Sequence, residues 1–228
     1  MILLLGGSGL VGREILAQLG DRQLPTRAPF RRQPQRPASA SLQIVEDPNW
    51  STTDSLVSLM SEVDTVLCAI GTTIAQAGSE AAFRAVDFEI VDRAAREARR
   101  AGVQHFGLVS AVGADAHSKI FYNRVKGEAE ASVREQKFYH TIILRPSLLL
   151  GDRRNQALRP GEKFAQALSP ALSWMMRGAW ARYRPIEARC VARAMLNLML
   201  KRSTSTPHEE ARSVTILEGQ KLFQVAAL

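Results

Sequence analysis

Apolar and polar positions follow two rhythms along this chain. An apolar run at residues 2–5 meets glycines at 6, 9 and 12, and apolar residues then recur at Leu10, Val11, Ile15, Leu16 and Leu19. The first part reads as a buried strand and the second as one face of a helix. Further short apolar runs predict strands at residues 42–45, 65–70, 105–110, 141–145 and 214–217. Amphipathic spacing predicts helices at 53–61, 80–100, 119–135 and 190–200, with a terminal helix at 220–227. In the 80–100 helix Phe83, Val86, Ile90, Val91 and Ala94 face inward, and the many charges read as a solvated face. A second strand belongs in 23–32, but Pro25 and Pro29 make that stretch a poor strand on paper. Residues 152–186 are irregular and rich in arginine and proline.

This alternation predicts an α/β fold, a doubly wound parallel sheet of the Rossmann type. At 228 residues the chain reads as one domain over 1–228, with 152–228 forming a short C-terminal substrate region, a lid over the carboxyl edge of the sheet.

Residues 2–12, ILLLGGSGLVG, place a strand, a glycine turn and a helix start in the order a dinucleotide site requires. Gly6 lets the chain turn, Gly9 lets backbone approach a pyrophosphate, and Gly12 lets the helix pack on the strand. Ser8, Leu10 and Val11 complete the loop whose N–H groups would face the phosphates. Counting about 20 residues on, where a site for NAD carries a carboxylate, reaches Arg31 and Arg32 instead. Guanidinium groups suit a ribose 2′-phosphate, so NADPH is the expected cofactor and NADH the less favoured one. Either Glu46 or Asp47, after the third strand, is expected near adenine, with no choice between them.

Composition adds exclusions. The net charge is +8, but the arginines are scattered and lack interleaved aromatics, so no nucleic-acid partner is expected. No apolar run reaches membrane-spanning length, which predicts no membrane partner. Residues 2–5 are too short for a secretory leader, and two cysteines, Cys68 and Cys190, give neither a disulfide framework nor metal spacing. These features lead to the expectation of a reducing, cytoplasmic location. His117 and His140 lack partners at metal spacing, so no metal site is expected. His105, Trp174 and Met176 read as structural.

One constellation carries acid–base chemistry. Tyr122 and Lys126 lie four residues apart on a predicted helix and share a face. An ammonium nearby favours the phenolate and is expected to lower the tyrosine pKa, so that the pair can exchange a proton with a carbonyl or hydroxyl. Ser110 ends the fifth predicted strand, where a hydroxyl could hold the substrate oxygen.

The glycine loop GGSGLVG, the strand end VSAVGAD and the helix motif YNRVK resemble the short-chain dehydrogenase/reductase superfamily. CAIGTT, AVDFEIVDRAA, FYNRVKGEAE and ILRPSLLLGDR narrow the likeness to its atypical branch, the small Tat-interacting-protein-like NAD(P)H-binding oxidoreductases. The resemblance covers residues 1 to about 200. It implies that Ser110, Tyr122 and Lys126 form the catalytic triad and that Lys126 also holds the nicotinamide ribose. It further implies that Ala69, Ile70 and Gly71 line the adenosine side, that Pro146 touches the nicotinamide, and that residues 184–196 close the site. Ala111 stands where relatives often carry a second hydroxyl, which puts catalytic competence in question if the working hydroxyl belongs there.

The expected activity is therefore NADPH-dependent oxidoreduction of a small carbonyl or hydroxyl substrate by a monomer or homodimer. The alternative is an NADPH-binding redox-sensing regulator with little turnover. A sugar-nucleotide epimerase or dehydratase is a third reading, disfavoured because it normally needs a larger C-terminal region.

Overall fold

The computed structural model describes residues 1–32, 34, 39–151, 184–203 and 212–227. Strand β1 (Ile2–Leu5) sits near the middle of the sheet, and α1 (Leu10–Asp21) follows the glycine turn. Then come β2 (Thr26–Phe30), β3 (Leu42–Glu46), α2 (Thr53–Leu59) and β4 (Thr65–Cys68). Two short helices, α3 (Ile74–Ala77) and α4 (Glu80–Arg84), lead through a π-helical turn (Ala85–Glu89) into α5 (Ile90–Arg100). Strand β5 (His105–Val109), α6 (Phe121–Glu135), β6 (His140–Arg145) and β7 (Leu149–Leu150) complete the first part. After them come β8 (Ile186–Glu187), α7 (Ala188–Ser203), β9 (Ser213–Glu218) and α8 (Gln220–Ala227).

Among the described residues, seven strands form one parallel sheet in the order β3-β2-β1-β4-β5-β6-β9. The order reverses between β1 and β4, so a crevice opens beyond the carboxyl ends of those two strands. One sheet face packs on α2, α5 and α6 through Leu56, Ile90, Val91, Ala94, Ala129 and Val133. The other packs on α1, α7 and α8 through Val11, Ile15, Leu19, Val191, Met195 and Leu222. Buried on both faces, β4 reads TVLC and has no polar side chain after Thr65.

The doubtful second strand forms, and its hydrogen-bond pattern explains why the prolines are tolerated. Thr26 N–H donates to Ser41 and Phe30 C=O accepts from Asp47, so the even residues of β2 face β3. Pro29 therefore faces β1, whose pairing with β2 has already ended at Leu3↔Arg27. The missing N–H removes no ladder bond.

The expected C-terminal lid is corrected in part. Residues 188–203 and 213–227 belong to the main body, because β9 extends the sheet beside β6 and α7 covers it beside α1. Register explains the join, since Ile142, Ile143 and Leu144 of β6 pair with Thr215, Ile216 and Leu217. Residues 152–183, 204–211 and 228 of the lid segment lie outside the described residues, Trp174 and Met176 with them, while β8 pairs with β7.

Candidate dinucleotide and proton-transfer site

The turn after β1 is held by close backbone approaches. Gly6 has φ +83°, and a Cβ there would lie 2.7 Å from the Ala69 carbonyl carbon and oxygen at the end of β4. Only glycine fits both conditions. Gly9 N–H donates to Gly6 C=O at 3.0 Å, and no side chain caps α1. The first amides of α1 thus lack side-chain acceptors at the mouth of the crevice, where a phosphate can take them. Gly12 and Val11 are buried beneath the turn, and Leu10 packs toward Gly151.

A cleft of about 670 Å³ opens beside this loop. Of the expected binding residues, Gly6, Ser8, Gly9, Arg31, Arg32, Ala69, Ile70 and Gly71 line it. Gly12 and Val11 shape the loop from below instead. Neither Glu46 nor Asp47 lines the cleft; the Asp47 carboxylate accepts from the Asn49 N–H at 2.8 Å. Trp50, Phe30 and Gln76 line it, and none of the three was singled out from the sequence. Trp50 carries a faint signal, an aromatic just past the third strand, but nothing local aims it at the crevice.

The cleft, the turn that excludes any Cβ, the uncapped helix and two exposed arginines fit a nicotinamide dinucleotide. Pro146 is buried, and its carbonyl accepts from the Val112 N–H at 2.9 Å, which ties the loops after β5 and β6 together.

Beneath the cleft lies a buried ion pair. The Lys126 ammonium stands 2.7 Å from Asp87 Oδ1, with the lysine side chain 8% and the aspartate 0% exposed. Asp87 Oδ2 also accepts from the Thr72 N–H at 2.9 Å. A Cβ on Gly71 would sit 3.5 Å from both Asp87 Oδ1 and Lys126 Nζ, so the pair lies directly under the cleft lining. Burial disfavours the lysine charge, but the carboxylate more than offsets it, and the Lys126 pKa stands above its ordinary value. Asp87 was read with the solvated charges of its helix. Its place four residues after Phe83 and three before Ile90 puts it on the inward face, within the π turn, where Lys126 neutralises it.

Tyr122 packs against Phe83, with ring centroids 5.4 Å apart. The expected lowering of its pKa is corrected. Burial pushes the phenol up; Lys126 pulls it down, Asp87 pushes it up again, and the net direction is upward. Burial outweighs the pull of the lysine, which exceeds the push of the aspartate.

Ser110 does not stand open to a substrate. Its hydroxyl donates to Glu130 Oε1 at 2.5 Å, deep inside the protein. Glu130 also accepts from Arg145 Nε at 2.9 Å and Nη2 at 2.6 Å, and Arg145 reaches Glu218 at 3.7 Å. The network links β5, α6, β6 and β9, and nothing in the serine's own neighbourhood of sequence reveals a partner 20 residues on. Beside it Ala111 offers no hydroxyl.

A family model described as NAD(P)H-binding matches residues 6–170. The chain belongs to this NAD(P)H-binding family. Protein fmp52, mitochondrial, of Emericella nidulans is 32% identical over 232 residues, covering 98% of this chain and 97% of the relative. Protein HTATIP2 of Rattus norvegicus is 33% identical over 199 residues, covering 86% and 79%. Among solved structures, MoeE5 in complex with UDP-glucose and NAD has a TM-score of 0.65 at 15% identity, covering 99% of this chain and 80% of that one. A short-chain dehydrogenase/reductase superfamily protein from Agrobacterium tumefaciens with bound NAD has a TM-score of 0.65 at 19% identity, covering 96% and 77%. These structures share the fold. The sheet is of the Rossmann type that these structures share, in keeping with the resemblance to atypical short-chain dehydrogenase/reductases carried by the sequence motifs. The cytoplasmic expectation is overturned, since several of the fungal relatives are named as mitochondrial proteins. Composition and cysteine usage carry no address.

Proposed function

We propose that this protein is an NADPH-dependent oxidoreductase acting on a small carbonyl or hydroxyl compound. One observation carries the reading: the Lys126–Asp87 pair, with Tyr122 on the same helix, lies directly beneath the Gly71 lining of the dinucleotide cleft. When bound, the dinucleotide supplies hydride chemistry. The backbone amides at the start of α1 bind the pyrophosphate, and Arg31 and Arg32 hold the 2′-phosphate. Lys126 orients the nicotinamide ribose, and Tyr122 exchanges a proton with the substrate oxygen.

The test has two arms. In fluorescence titration the wild type binds NADPH more tightly than NADH, and replacing Arg31 and Arg32 by alanine weakens NADPH alone. Loss of charge-assisted hydrogen bonds of about 1.5–3 kcal/mol predicts a roughly ten- to hundredfold rise in Kd. Equal affinity for both nucleotides in the wild type removes the arginine argument. In the second arm Tyr122→Phe keeps NADPH binding and abolishes turnover on a carbonyl panel.

A regulator that binds NADPH with little turnover is the second reading. It is supported by Ser110 being committed to Glu130 and by alanine at 111, which leave no serine hydroxyl at the strand end to hold a substrate. A wild type that binds NADPH, turns over nothing and keeps its biological effect as Tyr122→Phe establishes that reading. The names of the fungal relatives make the mitochondrion the compartment to examine first, by fractionation of cells expressing the chain.

A further inference from the structure

The lining of the dinucleotide cleft changes character away from the glycine loop. Arg31 and Arg32 follow β2, and the same cleft is walled by Trp50, Ile70, Val86 and Ile90. Trp50 and Ile70 are each 7% exposed and Ile90 8%, so they are core side chains that present one edge to the cleft. In a sheet of this kind the pyrophosphate crosses at the reversal of strand order, and the two nucleoside halves lie on either side of it. The half that reaches past β2 toward the link after β3 carries the purine. Apolar side chains with few competing hydrogen-bonding groups suit its flat face.

Trp50 belongs to no strand or helix and sits in the link between β3 and α2. The turn is held mostly by itself. Asp47 C=O accepts from the Trp50 N–H at 3.3 Å, and Asn49 C=O accepts from the Thr52 N–H at 2.8 Å. The tie to α5 comes from 42 residues away, where Arg93 Nη1 donates to the Ser51 carbonyl at 2.6 Å. Arg93 stands three residues after Ile90, on the same side of α5. One helix thus supplies both an apolar wall and the tie that fixes the turn carrying Trp50. A guanidinium bonded to a carbonyl is charge-assisted, stronger and more directional than a neutral pair.

We propose that Arg93 is a positioning residue: by pinning the Ser51 carbonyl it holds Trp50 as the wall against which the purine of the dinucleotide packs. The proposal rests on the dinucleotide reading of the cleft. It needs neither turnover nor a preference for NADPH.

Isothermal titration with pieces of the cofactor tests it. The probes are 2′,5′-ADP and 5′-AMP, which carry the purine, and reduced nicotinamide mononucleotide, which lacks it. Arg93→Met raises the Kd of both purine ligands by the same factor, roughly fivefold or more, and leaves the mononucleotide within about twofold. Arg93→Lys can still donate to the carbonyl and stays within about threefold of the wild type on all three. Trp50→Leu keeps an apolar side chain in the core and weakens the purine ligands roughly tenfold, the scale of base stacking on an aromatic. The double variant matches Trp50→Leu within about twofold, because the tie has nothing left to hold.

An Arg93→Met chain that binds the purine ligands as the wild type does overturns the proposal. One that loses the purine ligands and the mononucleotide alike also overturns it, since that is a general structural loss. Additive losses in the double variant do the same, because Arg93 then acts elsewhere than through Trp50. Should Arg93→Met not fold, Trp50→Leu decides alone: unchanged purine binding removes the wall and the proposal with it, and a selective purine loss sustains it. Replacing Arg31 and Arg32 by alanine keeps this idea apart from the NADPH preference. If that variant fails to separate 2′,5′-ADP from 5′-AMP, the 2′-phosphate assignment falls and the Arg93 assignment stands. If it separates them while Arg93→Met moves neither, the reverse holds.

Discussion

Gly12→Ala tests the packing on which the dinucleotide loop rests. A Cβ at this position would lie 2.0 Å from Gly6 O and 2.8 Å from Gly6 C. Relief to a contact of 3.0 Å requires α1 to move by about 1 Å, since backbone is on both sides. Val11, Ile15 and Leu19 oppose that movement, because all three are buried against the sheet. The oxygen struck is also the acceptor for the Gly9 N–H. Overpacking against backbone belongs at or above the upper end of the usual range, about 4 kcal/mol here. The better helix propensity of alanine offsets about 1 kcal/mol, leaving a net loss of about 3 kcal/mol. Displacing the loop amides also weakens pyrophosphate binding, by a roughly ten- to hundredfold rise in Kd. Gly20→Ala on the same helix is the control. Its Cβ would come nearest to the flexible Leu42 Cδ1 at 3.3 Å, with Ser39 Cβ at an ordinary 3.6 Å, so propensity dominates and the variant is neutral or up to about 1 kcal/mol more stable. Urea unfolding followed by circular dichroism gives the stability, and NADPH fluorescence gives the affinity. A Gly12→Ala protein within about 1 kcal/mol of wild type, with affinity unchanged within threefold, refutes the close-packing argument.

Two further outcomes follow from other parts of the fold. Glu130→Ala strips the acceptor from both Ser110 and Arg145 in a nearly closed site, and urea unfolding should register a loss of about 3 kcal/mol, with Glu130→Gln costing distinctly less. His105 is stacked on His140 with ring centroids 5.0 Å apart, and burial, then the neighbouring imidazole, hold its pKa below the ordinary 6.5. As pH falls below about 6.5 the unfolded chain takes the proton first, so folding weakens toward acid. His105→Phe should flatten the fall in urea midpoint between pH 7.5 and 5, and an identical slope in both proteins would remove the histidine from the account.

Legibility divided along the line between local and distant causes. The glycine loop was readable because its spacing encodes backbone geometry within a dozen residues. The strands β4 and β6 were readable because burial on both faces leaves an uninterrupted apolar run. Strand β2 was obscure because its tolerance of Pro29 depends on where a different strand stops. Asp87 was hidden for a comparable reason. Its spacing from Phe83 and Ile90 puts it on the inward face, but a charge there reads with the solvated ones, because its partner Lys126 lies on a helix that only folding delivers. Ser110 was placed correctly at the end of β5, but its hydroxyl answers to Glu130 on a helix that folding delivers. The binding loop was thus legible as a motif, whereas the electrostatics beneath it were set by tertiary pairings.

The π turn at Ala85–Glu89 makes the phase of the following helix a variable that evolution can alter in a single step. Each residue of an α-helix advances about 100° around its axis. Deleting one residue here would swing everything downstream by that angle, turning the Ile90, Val91 and Ala94 stripe off the sheet, or would unwind the bulge and withdraw the carboxylate. Homologous chains compared at this spot should therefore tolerate substitutions of the flanking residues far more readily than a change in their number.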